Sequence, residues 1–498
     1  MKLIKYLSII IVLTFAASGC EKNFEDLQVN PNQPTSAPPS LIFQGILNDM
    51  FESSWNDNIV MRYSQFHLCN YNYYGNNEYN WTTSGFDFYS LNNVSKMEEE
   101  AEKLAGTATN PFGALGKFFR AYFAVRMSLK FGDVPMSQAL QGLDNTTPVY
   151  DSQKEVFKQA LTLLEEANDL MATVIEKGDN SLQGDIYLSN DLAKWQKIIN
   201  TYKLRVLIHL SKHADDSDLN VKARFAEVLN NPAKYPVLES AGDDMVFTFN
   251  SSTNTYPTNP GNKGFDSGRY NHCDTYLGTL VSLKDPRTFV VADPAAAKIV
   301  QGLTESDFEA YVGAPAGEGL DDMTFKMGNG EYSAIDQERY YSTFSGPEPC
   351  VQVGYAELCF NIAEAINRGW VAGDAGEWYE KGITASMNFY GITDLGYYLA
   401  QPEVAYKGDN ADGLQQILLQ KYLAFFQNSG WEAFYNQRRT GVPEFNVGAG
   451  TGNGERIPKR FQYPASERTT NKTNYDAAVQ SQYGGSDDIN AEMWLIKD

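Results

Sequence analysis

Apolar residues recur at helical spacing through most of the chain after residue 40, which predicts a mostly α-helical protein. The longest aromatic helix predicted in this way runs from Pro111 to Phe131. Proline at its first position and Gly132 directly after it are residues that favour the start and the end of a helix. The predicted helices cover residues 41–51, 94–104, 111–131, 151–175, 192–213, 221–229, 351–367, 374–390, 414–428 and 431–439.

Several of these helices come in pairs joined by a turn that contains glycine, and the clearest pair spans residues 354–391. Large residues such as Tyr355 and Leu358 alternate with alanines on its first helix, and Trp378 and Tyr379 precede small residues on its second. Such alternation lets two helices pack closely, as in a tetratricopeptide hairpin. No strict repeat of about 34 residues is present, so an irregular helical bundle is the alternative to a tetratricopeptide-like scaffold.

Two stretches between the helical blocks, residues 63–90 and 248–275, are rich in aromatic residues and asparagine. Loops of this length inside a compact protein usually carry function. We therefore predict one domain in which a helical scaffold carries an irregular ligand-binding subdomain. The domain covers residues 41–498, with tetratricopeptide-like helices mainly at 90–230 and 350–440 and loop-rich ligand regions at about 63–90 and 248–350.

The composition excludes several classes of function. Asp and Glu number 62 against 40 Lys and Arg, which gives a net charge of −22. An acidic chain is a poor partner for nucleic acids, whose phosphates are bound chiefly by Lys and Arg. The chain also has 30 Tyr, 28 Phe and 7 Trp but only 4 His. Aromatic surface is therefore plentiful, while imidazole for catalysis or metal binding is scarce.

The sequence contains no motif of a serine hydrolase, a zinc protease or a phosphate-binding loop. His209 and His213 have the spacing of two metal ligands on one helical face, but no glutamate follows His209 and no third ligand is evident. A structural pair of histidines is therefore the better interpretation. We predict no catalytic residue, no metal and no cofactor, and a protein that is not an enzyme.

The first residues are typical of an export signal. Lys2 and Lys5 precede an apolar run from Leu7 to Ala17, which is too short to span a bilayer. The small residues before Cys20 resemble a bacterial lipobox, with an ordinary signal peptide as the alternative. We therefore predict a lipoprotein signal peptide over residues 1–19, lipidation of Cys20 and a proline-containing tether over residues 20–40.

Four further cysteines are present, and an exported protein can form disulfides. Cys69 and Cys273 both lie in aromatic, asparagine-rich stretches, so they are candidates for a pair. Thiols at all four positions, with Cys350 and Cys359 included, are an equally good interpretation. No CxxC motif indicates a zinc or redox site.

The rings from Tyr71 to Trp81 are interleaved with asparagines, and a second loop places Arg269 beside Tyr270. A strand that alternates in this way exposes one row of rings and one row of amides. Flat rings stack on sugar faces, and amides donate to and accept from sugar hydroxyls. The alternative is that the rings are core residues of an irregular subdomain. The predicted ligand-binding residues are Tyr73, Tyr74, Asn76, Tyr79, Trp81, Arg269 and Tyr270.

Several runs of residues resemble motifs of a known family. A Gly-Asp-Val-Pro turn at residues 132–135 follows the aromatic helix, and an Ala-Glu pair begins the helix near residue 356. Together with the lipobox-like Cys20, these runs resemble the SusD/RagB-like (SusD-like) outer-membrane lipoproteins of Bacteroidetes. The runs that carry the resemblance are 29–35, 120–139, 195–211 and 355–370 and, most specific, 420–422, 431–433, 438–441, 456–460 and 463–464.

The resemblance implies a tetratricopeptide-type scaffold with a less regular ligand-binding subdomain. It also implies a lipid-anchored protein of the cell outer membrane, exposed at the surface, that captures a nutrient and delivers it to a SusC-like TonB-dependent transporter. The expected nutrient is a glycan. A peptide is the alternative, since Arg269 and His272 could pair with a carboxylate. A surface glycosidase is disfavoured because no nucleophile motif is present and histidine is scarce.

Overall fold

The structure is a computed structural model that describes residues 36–52, 59–71, 76–82 and 84–497. Helices dominate it, and its strands are three or four residues long, so the mostly α fold predicted from the sequence is confirmed. The helices before residue 240 are α1 (Pro39–Met50), α2 (Ile59–Tyr63), α3 (Phe88–Ala105), α4 (Pro111–Phe131), α5 (Gln153–Glu176), α6 (Leu192–His209) and α7 (Val221–Asn230).

Consecutive helices of this first block pack against one another, from α3 through α4 and α5 to α6 and α7. Helix α4 lies at the centre and is buried almost all round. Local signals define its ends: the Asn110 side chain accepts a hydrogen bond from the Gly113 amide, and Gly132 takes a positive φ of 95°. Phe118 and Phe119 of α4 pack against Trp195 of α6, which joins neighbouring hairpins through aromatic contacts.

The middle of the chain holds mostly short elements, and longer helices return after residue 350. The middle helices are α8 (Lys263–Asp266), α9 (Asp274–Ser282), α10 (Thr288–Val291), α11 (Ala296–Val300), α12 (Leu320–Gly328) and α13 (Gln337–Tyr340). The later ones are α14 (Tyr355–Asn367), α15 (Ala375–Phe389), α16 (Gly396–Leu399), α17 (Ala411–Ala424), α18 (Glu432–Thr440), α19 (Glu467–Thr470) and α20 (Lys472–Tyr483).

Helices α14 and α15 form the hairpin predicted over residues 354–391. A β-carbon on Gly382 of α15 would lie 2.8 Å from the Phe360 ring of α14, so the absence of a side chain there allows the close approach. Helix α14 also packs on α6 of the first block. The buried Arg205 of α6 donates from its Nε to Glu357 of α14 at 2.7 Å. The two helical blocks therefore share one core within the unit that runs from Pro39 onward.

Two small antiparallel sheets hold the irregular segments. Strand β1 (His67–Cys69) pairs with β3 (Tyr270–His272), and β2 (Met245–Phe247) pairs with β4 (Cys350–Val353). In the first sheet His67 lies opposite His272 and Cys69 lies opposite Tyr270. The two loop regions predicted to bind ligand are thus joined by backbone hydrogen bonds.

The structure differs from the predicted elements in a few places. The helix predicted over 351–367 begins at Tyr355, because the residues before it form β4 with a distant partner. The helix predicted to reach His213 ends at His209, and a 3₁₀ turn, Ser211–His213, follows. The region 248–350, predicted as loop-rich, contains the short helices α8 to α13.

All four cysteines after Cys20 are buried thiols in the structure, so a Cys69–Cys273 disulfide is not observed. The Cys69 thiol donates to the Tyr71 carbonyl at 2.8 Å, and the Cys350 thiol donates to the Gln427 carbonyl at 3.3 Å. Burial raises the pKa of the Cys273 thiol to about 12, so it stays protonated at neutral pH.

Within the described part of the chain, none of the helices has both the length and the apolar character needed to span a bilayer. The predicted signal peptide, the predicted lipidation site Cys20 and most of the predicted tether lie outside the described residues.

Candidate functional site

The β1–β3 ladder positions the two loops on which the predicted ligand residues lie. The ladder extends one residue beyond Cys69, because the Asn70 amide donates to the Arg269 carbonyl at 2.9 Å. Tyr71 therefore emerges from the end of the ladder beside Arg269. The pairing of distant loop ends by backbone hydrogen bonds fixes the spacing between these two side chains.

Tyr71 and Arg269 form an aromatic–cation pair at the end of the ladder, in which the ring is exposed and the arginine is half-buried. The Tyr71 side chain is 51 % exposed, and the Arg269 guanidinium carbon lies 5.8 Å from the centre of its ring. An aromatic face stacks on apolar surfaces of a ligand, and a guanidinium offers several hydrogen-bond donors in a fixed plane. The pair can therefore grip a ligand that has both apolar faces and acceptor oxygens.

The loop after Tyr71 is closed at its base by the amide of Asn77. The Asn77 amide nitrogen donates to the Cys69 carbonyl at 2.8 Å, and its oxygen accepts from the Cys69 amide at 2.8 Å. The Asn77 side chain is buried, and its amide bonds the backbone of β1 in the way that a neighbouring strand would. Arg62 donates to the Asn76 carbonyl at 2.5 Å, and the half-buried Asn76 side chain accepts from the Glu78 amide at 3.1 Å.

Helix α12 supports the same loop from another side. The Thr324 hydroxyl donates to the Asn70 carbonyl, and the Asn77 amide lies 3.8 Å from the sulfur of Met323. The next residue of the helix, Phe325, is 69 % exposed. We use the name Tyr71 corner for the Tyr71–Arg269 pair together with Asn76 and Phe325, which lie on the segments that adjoin the end of the ladder.

Three of the predicted stacking rings are core residues in this structure. Trp81 is 1 % exposed and stacks on Phe461 with ring centres 4.3 Å apart and planes 9° apart. Tyr79 and Tyr270 are 3 % and 2 % exposed. None of the three has a face open to solvent. The expectation that they stand in an exposed row is therefore wrong, because long-range packing by residues such as Phe461 covers them.

The remaining predicted residues divide into two groups. Arg269 lies beside Tyr71, and the Asn76 carbonyl accepts from Arg62; that the two predicted residues share a ligand site stays a prediction. Tyr73 and Tyr74 lie outside the described residues. Phe325 was missed, because it lies in a short helix far from both aromatic loops in the sequence; an aromatic residue beside the polar Asp321, Asp322 and Lys326 was the available signal.

Two histidines lie opposite each other in the ladder that carries the Tyr71 corner. His67 and His272 are fully buried with ring centres 4.8 Å apart. Burial lowers the pKa of His272 to about 4, and burial together with the neighbouring His272 lowers the pKa of His67. Both rings are therefore neutral at physiological pH. His272 has no surface to offer a peptide carboxylate, contrary to the alternative raised from the sequence.

The described residues contain no group of three or more His, Cys, Asp or Glu side chains arranged to hold a metal ion. His209 and His213 contact different partners. His209 lies 3.1 Å from Glu432, and the His213 ring stacks on Trp494 with ring centres 3.9 Å apart. Both histidines thus serve the packing of the scaffold.

A family profile named SusD-like and described as "Starch-binding associating with outer membrane" matches residues 31–464. A SusD homologue from Bacteroides fragilis has 32 % sequence identity and a TM-score of 0.80, and the match covers 93 % of this chain and 100 % of that one. An outer-membrane protein of Bacteroides vulgatus, described in connection with nutrient binding, has 31 % identity, a TM-score of 0.80 and the same coverage.

A second SusD homologue from Bacteroides fragilis has 29 % identity and a TM-score of 0.84, and covers 93 % of this chain and 100 % of its own. No curated protein matches the chain. These likenesses extend over nearly all of the described residues and confirm the family resemblance that the sequence motifs indicated.

Proposed function

The chain belongs to the SusD-like family of starch-binding proteins associated with the outer membrane, and we propose that it captures an oligosaccharide there and delivers it to a SusC-like TonB-dependent transporter. The family description supports a glycan ligand. The Tyr71 corner supplies the chemistry that such a ligand requires. The proposal places binding at this corner and transport in a partner protein.

The observation that carries the proposal is an exposed ring held beside a guanidinium on a braced loop. A sugar ring has an apolar face for Tyr71 and hydroxyl oxygens for Arg269. The hydrogen bonds from Asn77 to Cys69 hold the loop base before any ligand arrives. Less conformational entropy is then lost on binding, because the ring and the guanidinium already stand together.

Calorimetric titration of the protein with maltoheptaose and chitohexaose tests the site. We expect Tyr71→Ala to weaken binding by about fivefold, which corresponds to one stacking contact of roughly 1 kcal/mol. Tyr71→Phe should keep most of the affinity because it keeps the ring. Arg269→Gln should weaken binding through the loss of the charged donors.

Tyr89→Ala is the matched control, since Tyr89 is also an exposed tyrosine but belongs to α3 of the helical scaffold. The site assignment fails when Tyr71→Ala and Tyr89→Ala bind the oligosaccharides equally well. If the protein bound members of a peptide library but not the oligosaccharides, and Tyr71→Ala weakened that binding, a peptide and not a glycan would be the ligand.

We propose that the protein binds the ligand and releases it chemically unaltered, without catalysis. Chromatography of maltoheptaose after prolonged incubation with the protein should show no shorter oligosaccharide. Release of reducing sugar that depends on the protein would favour the glycosidase alternative.

The membrane anchor and the transporter are also part of the proposal. Labelled palmitate should be incorporated into the protein, and Cys20→Ser should abolish that incorporation. Affinity purification from outer membranes should recover a TonB-dependent transporter of the SusC type. Recovery of the protein without any transporter would contradict the proposed delivery step.

A further inference from the structure

A cavity of about 690 Å³ lies between α14 and α15 of the helical scaffold. The 3₁₀ turn Ala241–Asp243 and the chain segment after α17, residues 425–429, complete its walls. No residue of the Tyr71 corner lines it. Its volume falls within the range of about 300–1,000 Å³ that is usual for sites that bind small molecules. We call it the α14–α15 cavity.

The walls of the α14–α15 cavity have two different characters. Val351, Ala385, Phe389 and Phe425 provide an apolar surface. Carboxylates are also present in the lining, among them Asp244 from the loop before β2 and Glu380 from α15. A ligand that fits both surfaces has an apolar body and a positive charge.

Some of the lining charges already have partners within the protein. Glu357 accepts from the buried Arg205, and Glu377 accepts from Lys381 at 2.6 Å. Asp243, which neighbours Asp244, lies 2.9 Å from Lys197. These carboxylates are therefore compensated without a ligand.

Asp244 and Glu380 are different, because neither forms an ion pair with any of the residues that the structure describes. Asp244 accepts a hydrogen bond from the Tyr355 amide at 2.6 Å, which fixes its carboxyl at the start of α14. Burial raises the pKa of Asp244 to about 7. A cation beside it would favour its charged form, so the cavity holds a carboxyl that gains a partner when a cation enters.

We propose that the α14–α15 cavity binds a primary amine carried on an apolar body, with the ammonium between Asp244 and Glu380 and the apolar body against Phe389 and Phe425. A free arylalkylamine and the amino-terminal residue of a peptide share this chemistry. This site is separate from the proposed glycan site and does not depend on it.

Titration calorimetry with 2-phenylethylamine tests the proposal, and 2-phenylethanol is the neutral counterpart of nearly the same shape. We expect the amine to bind at least about tenfold more tightly than the alcohol. Phenylalanyl-glycinamide serves as the peptide arm. Binding of this dipeptide with a higher affinity than that of the simple amine would identify a peptide amino terminus as the source of the amine.

Asp244→Asn should weaken amine binding by about tenfold and leave binding of the alcohol unchanged. Asparagine keeps an oxygen that can accept the Tyr355 amide, so the fold should survive this change. Glu380→Gln should have a smaller effect in the same direction, since Glu380 is exposed. Glu102→Gln, which removes an exposed carboxylate far along the chain on α3, is the matched control and should change nothing.

Ala385→Trp would place an indole beside Phe389 in the proposed position of the apolar body and should weaken binding of amine and alcohol alike, with the thermal midpoint as the check on folding. Equal affinities for amine and alcohol, or an amine affinity that Asp244→Asn does not change, would overturn the proposal. Titration of the same cavity variants with maltoheptaose tests the glycan site separately, because none of them changes the Tyr71 corner. If a cavity variant lost oligosaccharide binding, the assignment of the glycan to the Tyr71 corner would be contradicted, and the result with the amine would still stand.

Discussion

Tyr71 and Trp81 lie ten positions apart in one asparagine-rich segment, yet their surroundings are opposite. Tyr71 is half exposed and contacts the guanidinium of Arg269. Trp81 is 1 % exposed and is enclosed by the rings of Phe461, Trp431 and Phe434. The comparison teaches that aromatic residues interleaved with asparagine mark a region of the fold but not the side chains that face a ligand.

The cause of the difference is a partner segment from the far end of the chain. The Gln462 amide donates to the Trp81 carbonyl at 3.0 Å, so the C-terminal segment is bonded directly over the tryptophan. Tyr71 instead follows a ladder of three residues and is supported through Asn70 by α12. One ring is therefore covered by tertiary packing, and the other remains at the rim.

The largest expected effect is the loss of stability in Trp81→Ala. Removing a fully buried indole leaves a cavity among Phe461, Trp431 and Phe434, and we expect the free energy of unfolding to fall by about 3–5 kcal/mol. Urea denaturation followed by circular dichroism measures this change. A loss below about 1 kcal/mol together with lost oligosaccharide binding would return Trp81 to the ligand site and break the comparison.

The second prediction concerns the effect of acid on the two buried histidines of the β1–β3 ladder. The folded-state pKa of His272 is about 4, below its value near 6.5 in the unfolded chain, and the pKa of His67 is lowered as well. The unfolded chain therefore takes up more protons as the pH falls, and the stabilisation present above about pH 6.5 is lost down to about pH 4. For His272 the full loss is on the order of 3 kcal/mol.

Other buried groups change the stability with pH in the opposite direction. The prediction is therefore tested by comparing the wild type with a variant that lacks both histidines. Burial raises the pKa of Asp133 and of Asp244 to about 7, and such carboxyls favour the folded state as the pH falls. We expect the double variant His67→Gln, His272→Gln to lose less stability than the wild type between about pH 7 and pH 5. If the unfolding free energies of the two proteins changed with pH in parallel, the buried histidines would not be the source of the loss of stability in acid.

The helical scaffold was predictable because its signals are local. Helix α4 has its predicted bounds, since Asn110, Pro111 and Gly132 mark its ends within the sequence itself. The start of α14 was predicted too early because β4 depends on pairing with β2, about a hundred residues away. A strand of four residues carries no period long enough to separate it from the helix that follows.

The candidate site was predictable as a region and only partly as a set of residues. The composition of residues 63–90 and 248–275 indicated two ligand loops, and the β1–β3 ladder brings Tyr71 of one beside Arg269 of the other. Exposure of each ring was not predictable, because Phe461 covers Trp81 from a different part of the chain. The brace formed by Asn77 requires the register of β1 with β3, which no local pattern encodes.

The third prediction tests that brace. Asn77→Ala removes both hydrogen bonds to the Cys69 backbone and leaves the amide and the carbonyl of Cys69 without these partners. We therefore expect the free energy of unfolding to fall by about 1–3 kcal/mol. Oligosaccharide affinity should fall as well, because Tyr71 is no longer held beside Arg269. Asn80→Ala is the control, an exposed asparagine three positions along the chain. Equal stability of the two variants would show that the Asn77 amide does not hold the loop.

The smallest expected effect on stability is that of Tyr71→Ala. The ring is half exposed, and its contact with Arg269 contributes roughly 0.5–1 kcal/mol at an exposed site. We therefore expect a change in unfolding free energy of at most about 1 kcal/mol, measured by the same urea denaturation as for Trp81→Ala. Binding should be affected in the reverse order to stability, since Tyr71 contacts the ligand in the proposed complex. A loss at Tyr71 as large as that at Trp81 would mean that both rings serve the core. The ligand would then have to be sought on other residues of the loop-rich region, outside the Tyr71 corner.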